Sequence, residues 1–247
     1  MERLIQMRLH GMAGFLRDWL SNPKKTDVSP TELVGLLADA EWIHRENRKL
    51  KTRLAKARMR QDACVEDIDY TIARGLTKPK ILELSNSGWA AEHHNLIITG
   101  ATGLGKSYLA CALGNKACRD GYTVAYRRTS RLFDELAQAR ADGTYTTTLK
   151  RFAKTNVLIL DDFGVEPLGA RDRKELLEVI EDRYGVSSTI ITTQLEPSDW
   201  HAAIGDETIA DAICDRIVHN AHRIKLSGDS VRKTKALTKE KEKGKGK

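Results

Sequence analysis

Apolar and polar positions follow two different rhythms along this chain, and the rhythm changes near residue 95. Before that point the spacing is helical. Leu36, Ala40, Ile43, Asn47, Leu50, Leu54 and Ala57 advance by alternating steps of four and three, one stripe at heptad spacing. The stripe opens at "SPTE", where Ser29 is placed to cap a helix and Glu32, three residues on, to return the bond. The pattern predicts a small helical domain over residues 1–65 with this stripe facing its core. Residues 66–94 read as a connection.

From residue 95 onward, short apolar runs alternate with amphipathic segments. The runs "NLIIT" (95–99), "YTVAYR" (122–127), "VLILD" (157–161), "STIITT" (188–193) and "RIKL" (223–226) read as strands. Helices are expected from Lys106 to about Arg119, over 130–141, over 171–184 and within 198–220. The stretch "DGTYTTTLKRFAKT" reads as a polar segment. Strands separated by helices predict an α/β domain over residues 95–230, a five-stranded parallel sheet between helices. Residues 231–247 lack apolar periodicity and read as a basic disordered tail.

Charge sharpens this picture only when it is located. The net charge is +7, but Arg232–Lys247 carries +6 and Arg45–Arg60 carries +7, so the remainder sums to −6. Basicity gathered into two segments suits a polyanion met at particular surfaces. No apolar run is long enough to span a membrane, and the N-terminus lacks the apolar core of a signal sequence. The four cysteines lie far apart, without zinc or disulfide spacing. A reduced, cytoplasmic protein is expected.

The chemistry sits where the first strand ends. Gly100, Ala101, Thr102, Gly103, Leu104, Gly105, Lys106 and Ser107 fit the phosphate-loop pattern, with Tyr108 next on the following helix. Backbone N–H groups can wrap a triphosphate only where side chains do not intervene, and the helix N-terminus adds positive potential. Lys106 would reach the β- and γ-phosphates of ATP, and the Ser107 hydroxyl would ligate Mg²⁺. A second motif, "NVLILDDFG", ends a buried strand in two acids. Asp161 is assigned to Mg²⁺ through water, and Asp162 to polarising the water that attacks the γ-phosphate.

One further strand separates these motifs in sequence. That spacing resembles the P-loop branch in which another strand lies between the phosphate-loop strand and the acidic strand. The tip of "STIITTQ" would then carry a polar γ-phosphate sensor, Thr193 or its neighbour Gln194.

With "LLADAEWIHRENRKLKTRLAKAR", "GATGLGKSYLA", "VLILDDFG", "TIITTQLEP", "DAICDRIVHNAHRIKL" and "GDSVR", the chain resembles the AAA+ ATPases. More closely it resembles the IstB-like transposition helper proteins, relatives of DnaC-type helicase loaders. The resemblance implies an ATP hydrolase that assembles on duplex DNA as a homo-oligomer through its ATP sites, deforms and selects target DNA, and stimulates a partner transposase. It implies an arginine finger in trans at Arg216, whose plain alternative is an ion pair with Asp211 or Asp215. General AAA+ proteins carry Asp-Glu where this chain has Asp161-Asp162. No C-terminal lid domain is expected after the last strand, and Arg232 is left as a second-sensor candidate. For DNA contact the favoured surface lies between the second and third strands, with Arg127, Arg128, Arg140, Lys150 and Arg151, ahead of the 45–60 helix and the tail. Two other functions stay open: a helicase loader, and an ATP-switched architectural DNA binder with slow hydrolysis.

Overall fold

A computed structural model describes residues 1–21, 28–228 and 230–231. Arg232 and the basic tail, both singled out in the sequence, lie outside the described residues. The chain divides into two compact units, Met1–Ala55 and the remainder from Lys56.

The N-terminal unit is helical, with α1 (Glu2–Gln6), α2 (His10–Ser21) and α3 (Pro30–Ala57). The capping box forms as the sequence predicts. The Ser29 N–H donates to Glu32 Oε2 at 2.9 Å, and the Glu32 N–H donates to Ser29 Oγ at 3.3 Å. These bonds hold the Glu32 carboxyl below its ordinary pKa.

Only part of the heptad stripe packs: Ala57 is buried and Ala40 half-buried, but Leu36 is 42% exposed and Ile43 57% exposed. Where α2 meets α3 at Gly11, the contact runs through Ala40, Glu41 and His44. A Cβ on Gly11 would lie 2.4 Å from the Ala40 carbonyl oxygen. The buried Glu41 carboxylate accepts the N–H groups of Gly11 and Met12 at 2.8 and 3.3 Å, capping the positive end of α2. Arg45, 2.7 Å from Glu41, holds that carboxyl below its usual range. A polar cap, not the apolar stripe alone, chose the rotation of α3.

The second unit begins with a short 3-10 turn at Val65–Asp67, followed by α4 (Lys78–Leu84) and α5 (Gly88–Ala91). The α/β core then runs β1 (Asn95–Thr99), α6 (Lys106–Arg119), β2 (Val124–Arg128), α7 (Thr129–Ala141), α8 (Tyr145–Lys154), β3 (Val157–Phe163), α9 (Ala170–Glu181) and β4 (Ser188–Thr193). It closes with α10 (Trp200–Ile204), α11 (Glu207–Val218) and β5 (Ala221–Lys225). The sheet is parallel throughout, in the order β2-β3-β4-β1-β5. Buried on both faces, β1 and β4 read as unbroken apolar and threonine runs rather than alternations.

One expectation failed in this region. The polar segment after α7 is in fact α8, which buries Thr148, Leu149 and Phe152. Its three consecutive threonines are weak helix formers, but Tyr145, Leu149 and Phe152 fall on one face and pull it onto the core. Arg183, fully buried, pins that helix to the sheet. Its guanidinium donates to the carbonyls of Phe152, Thr155 and Ser188 and, at 3.2 Å, to the Thr189 hydroxyl. Burial pushes its pKa down to about 9, which leaves it charged at neutral pH.

The Gly11 contact makes a test of the N-terminal unit. Gly11→Val forces a branched side chain against the α3 backbone and should cost about 1–3 kcal/mol, the usual range for overpacking. Gly14→Ala, with open space at its Cβ, should be neutral or stabilising. Amide exchange across His10–Ser21 should accelerate in the first variant and not in the second.

Candidate nucleotide site

The carboxyl edge of the sheet gathers both sequence motifs into one cavity of about 380 Å³. Because β4 lies between β1 and β3, the phosphate loop and the acid pair face each other across the β4 tip, as the spacing predicted. The cavity wall includes Thr102, Gly103, Gly105, Lys106, Ser107, Tyr108, Asp162 and Gln194. Gly100, Ala101 and Leu104 complete the loop, with Leu104 buried beneath it.

Each loop feature has a local cause. Gly105 stands at the N-cap of α6 with φ +88°, a conformation that suits glycine, and a Cβ there would meet Arg74 Nη1 at 2.8 Å. Arg74 braces the loop from below, donating to the carbonyls of Leu104 (3.1 Å) and Asp69 (3.0 Å). The Lys106 ammonium donates to the carbonyls of Gly100 and Ala101 at 2.7 and 3.0 Å, using two of its three donors. Burial lowers its proton affinity, and Asp162 and Asp161 oppose that effect.

Asp161 is fully buried and heavily bonded. Its Oδ1 accepts from Ser107 Oγ at 2.8 Å and Thr192 Oγ1 at 2.5 Å. Its Oδ2 accepts from Tyr126 Oη at 2.5 Å and Arg60 Nη1 at 3.3 Å. Burial and the Asp161 charge push the Tyr126 pKa far above its ordinary value, so the phenol keeps its proton and goes on donating. Asp162 follows at φ +60°, within a register break between Leu160 and Phe163. That left-handed turn is costly for a residue bearing a Cβ and is held by the Asp162 N–H donating to Thr192 Oγ1 at 3.1 Å. In a regular strand two consecutive side chains point to opposite faces. Here one guanidinium, Arg60, reaches both carboxylates, at 3.3 and 3.7 Å.

The donors suit a hard cation. Ser107 Oγ and Asp161 Oδ1 are oxygen ligands side by side, while among the described residues no group of three or more His, Cys, Asp or Glu could hold a metal unaided. A cation here would draw its remaining ligands from phosphate and water, the habit of Mg²⁺.

The structure separates the two sensor candidates. Thr193 is fully buried, its hydroxyl donating to the Phe163 carbonyl at 2.8 Å and accepting from the Leu195 N–H at 3.1 Å. Gln194 lines the cavity and accepts from Thr102 Oγ1 at 3.0 Å. Arg216 does not line this cavity. It sits on α11, donates to the Ala212 carbonyl and pairs with Glu181 at 3.0 Å, rather than with Asp211 or Asp215.

The four arginines and one lysine expected on DNA are dispersed. Arg127 is largely buried, paired with Glu135 at 2.5 Å, and Arg128 lies 3.4 Å from Asp162 in the nucleotide cavity. Arg140 packs over the Tyr145 ring at 3.6 Å and pairs with Glu175 at 2.8 Å. Arg151 pairs with Glu135 but stays exposed, as does Lys150.

Sequence reasoning did not single out Tyr126, Thr192, Arg60 or Arg74. Each lies at least thirty residues from its partner in the site, so no local motif announces it.

A parallel sheet in this order, a glycine loop feeding a helix and an acid pair across one strand define a P-loop ATP-binding fold of the AAA+ type. The chain belongs to the family described as IstB-like ATP binding protein, which it matches over residues 2–239. It is 49% identical over 233 residues to an insertion-sequence ATP-binding protein, y4pL, of Sinorhizobium fredii, covering 94% of this chain and 95% of that one. It is 43% identical to an insertion sequence IS1162 ATP-binding protein of Pseudomonas fluorescens, over 80% of this chain and 86% of the relative. In three dimensions it resembles the crystal structure of the DnaC helicase loader, with a TM-score of 0.54 and 22% identity, over 67% of this chain and 97% of the loader.

The two β4-tip residues should behave differently when changed. Thr193→Val should lower stability by about 1–3 kcal/mol, the cost of orphaning buried partners, while nucleotide affinity holds. Gln194→Ala should leave urea unfolding unchanged and slow ATP turnover. Parallel unfolding curves and single-turnover assays check both.

Proposed function

We propose that this protein is an ATP-hydrolysing, DNA-binding transposition helper. With ATP it assembles on duplex DNA as a homo-oligomer, deforms and selects target DNA, and stimulates the transposase of its insertion sequence. The observation that carries the reading is Ser107 bonded to Asp161 with Asp162 beside it, facing Lys106 across one cavity. Membership of an ATP-binding family of insertion sequences supplies the biological setting. The likeness to the helicase loader concerns the fold alone. No described helix is long and apolar enough to cross a membrane.

The chain's own residues divide the hydrolysis among them. Loop N–H groups and Lys106 bind and align the phosphates. Ser107 and Asp161 would hold Mg²⁺, whose charge would offset that developing on the phosphate oxygens. Asp162 orients a water and draws its proton as the water oxygen bonds to the terminal phosphorus. The bond from that phosphorus to the ADP oxygen breaks, and the departing oxygen keeps the electron pair. Gln194 senses the terminal phosphate. Arg216 leaves Glu181 to complete a neighbouring subunit's site, adding positive charge there. With a side chain one methylene shorter than the usual glutamate, Asp162 favours slow turnover.

Duplex DNA meets α8. Lys150 is exposed on this short helix, as are the Thr146 and Thr147 hydroxyls and Arg151, whose partner Glu135 it shares with Arg127. Such contacts bind phosphate without reading sequence.

Light scattering with duplex DNA should show assembly with ATP that is lost in Lys106→Ala and prolonged in Asp162→Asn. Assembly only on single strands would move the function to helicase loading. At matched salt, Lys150→Glu with Arg151→Glu should weaken duplex binding more than deletion of residues 233–247. The reverse order would place the DNA surface elsewhere.

A further inference from the structure

Two arginines stand in the nucleotide cavity where sequence reading put none. Arg60 ends the basic run that begins at Arg45, and Arg128 ends β2, yet both face the acid pair. Arg60 Nη1 lies 3.3 Å from Asp161 Oδ2 and 3.7 Å from Asp162 Oδ2, and Arg128 Nε lies 3.4 Å from Asp162 Oδ2. Both line the cavity beside Lys106 and Ser107.

These contacts are long for guanidinium–carboxylate pairs, which close to about 2.7–2.9 Å when strong. The arginine side chains are 37% and 46% exposed, so each can turn. A guanidinium turned away from the acids brings a planar fork of donors suited to phosphate. A divalent cation held by Ser107 and Asp161 would carry like charge and would weaken the hold of Asp161 on Arg60. The nearest new anion is the terminal phosphate. A phosphate chain held by the loop and Lys106 would bring its terminal group to the side of this cavity lined by Asp162, Arg60 and Arg128.

We infer that Arg60 and Arg128 bind the terminal phosphate of ATP from within the same subunit, so that a single subunit distinguishes ATP from ADP before any neighbour supplies Arg216. The inference rests on the ATP reading above and adds two phosphate-binding residues to it. It removes Arg128 from the DNA surface and Arg60 from the basic helix face.

The test is competitive displacement of fluorescent mant-ADP by ATP and by ADP, with Mg²⁺ and again in EDTA. It compares the full-length protein with Arg60→Gln, Arg128→Gln and Arg60→Lys. Losing a charged hydrogen bond to the terminal phosphate should cut the preference for ATP over ADP by about tenfold in each glutamine variant, with ADP affinity held within about threefold. Arg60→Lys keeps the charge without the planar fork and should fall between. It carries the test if thermal melting shows that Arg60→Gln does not fold. Unchanged ATP preference in the folded variants overturns the inference. So does loss of duplex binding at constant ATP preference, which would return both residues to DNA. If the wild-type chain itself binds neither nucleotide, the ATP reading fails first and this inference falls with it.

Discussion

The buried carboxylate of Asp161 is the point on which the nucleotide-binding edge of the sheet depends. A charge removed from water must be compensated by donors. Four side chains from four separate parts of the chain, Ser107, Tyr126, Thr192 and Arg60, converge to do it. Satisfying this one group fixes the phosphate-loop helix, β2, β4 and the segment after α3 relative to one another. The same oxygen cluster that stabilises the buried charge is the one suited to a hard cation. Stability and chemistry share atoms at this site, so variants aimed at one will disturb the other unless fold and binding are measured separately.

The backbone strain at Asp162 follows from that arrangement. Thr192 serves both acids, donating to the Asp161 carboxylate and accepting from the Asp162 N–H. This keeps the left-handed turn in place and lets two adjacent residues work on one cavity. Around it the positive side chains form a graded set. Lys106 is tied to its own loop, Arg60 and Arg128 are loosely held on the acids, and Arg216 is parked on Glu181.

A different polar contact organises the N-terminal unit. Glu41 there caps α2, and the geometry it demands turns part of the apolar heptad stripe outward. A buried polar group with strict directional needs outranked a row of interchangeable apolar contacts. Apolar spacing alone found the helix and part of its packed face, Ala40 and Ala57, but not the polar contact at Glu41.

The sequence by itself determined the alternation of strands and helices, the phosphate loop and the acid pair. The resemblance of the motif spacing to one branch of P-loop proteins also placed β4 between the strands carrying them. Each of these is written in contiguous residues whose backbone needs are local: glycines at a tight turn, an apolar run ending in acids, helical spacing after a lysine. Tertiary structure decided what depends on distant partners. It gave Thr193 a buried structural bond and turned Gln194 to the cavity, folded α8 against the core, drew the four expected DNA arginines into ion pairs, and brought Arg60 across a hundred residues to Asp161. Hydrogen bonds and charges act between whichever groups the fold brings together, and no sequence interval encodes that distance.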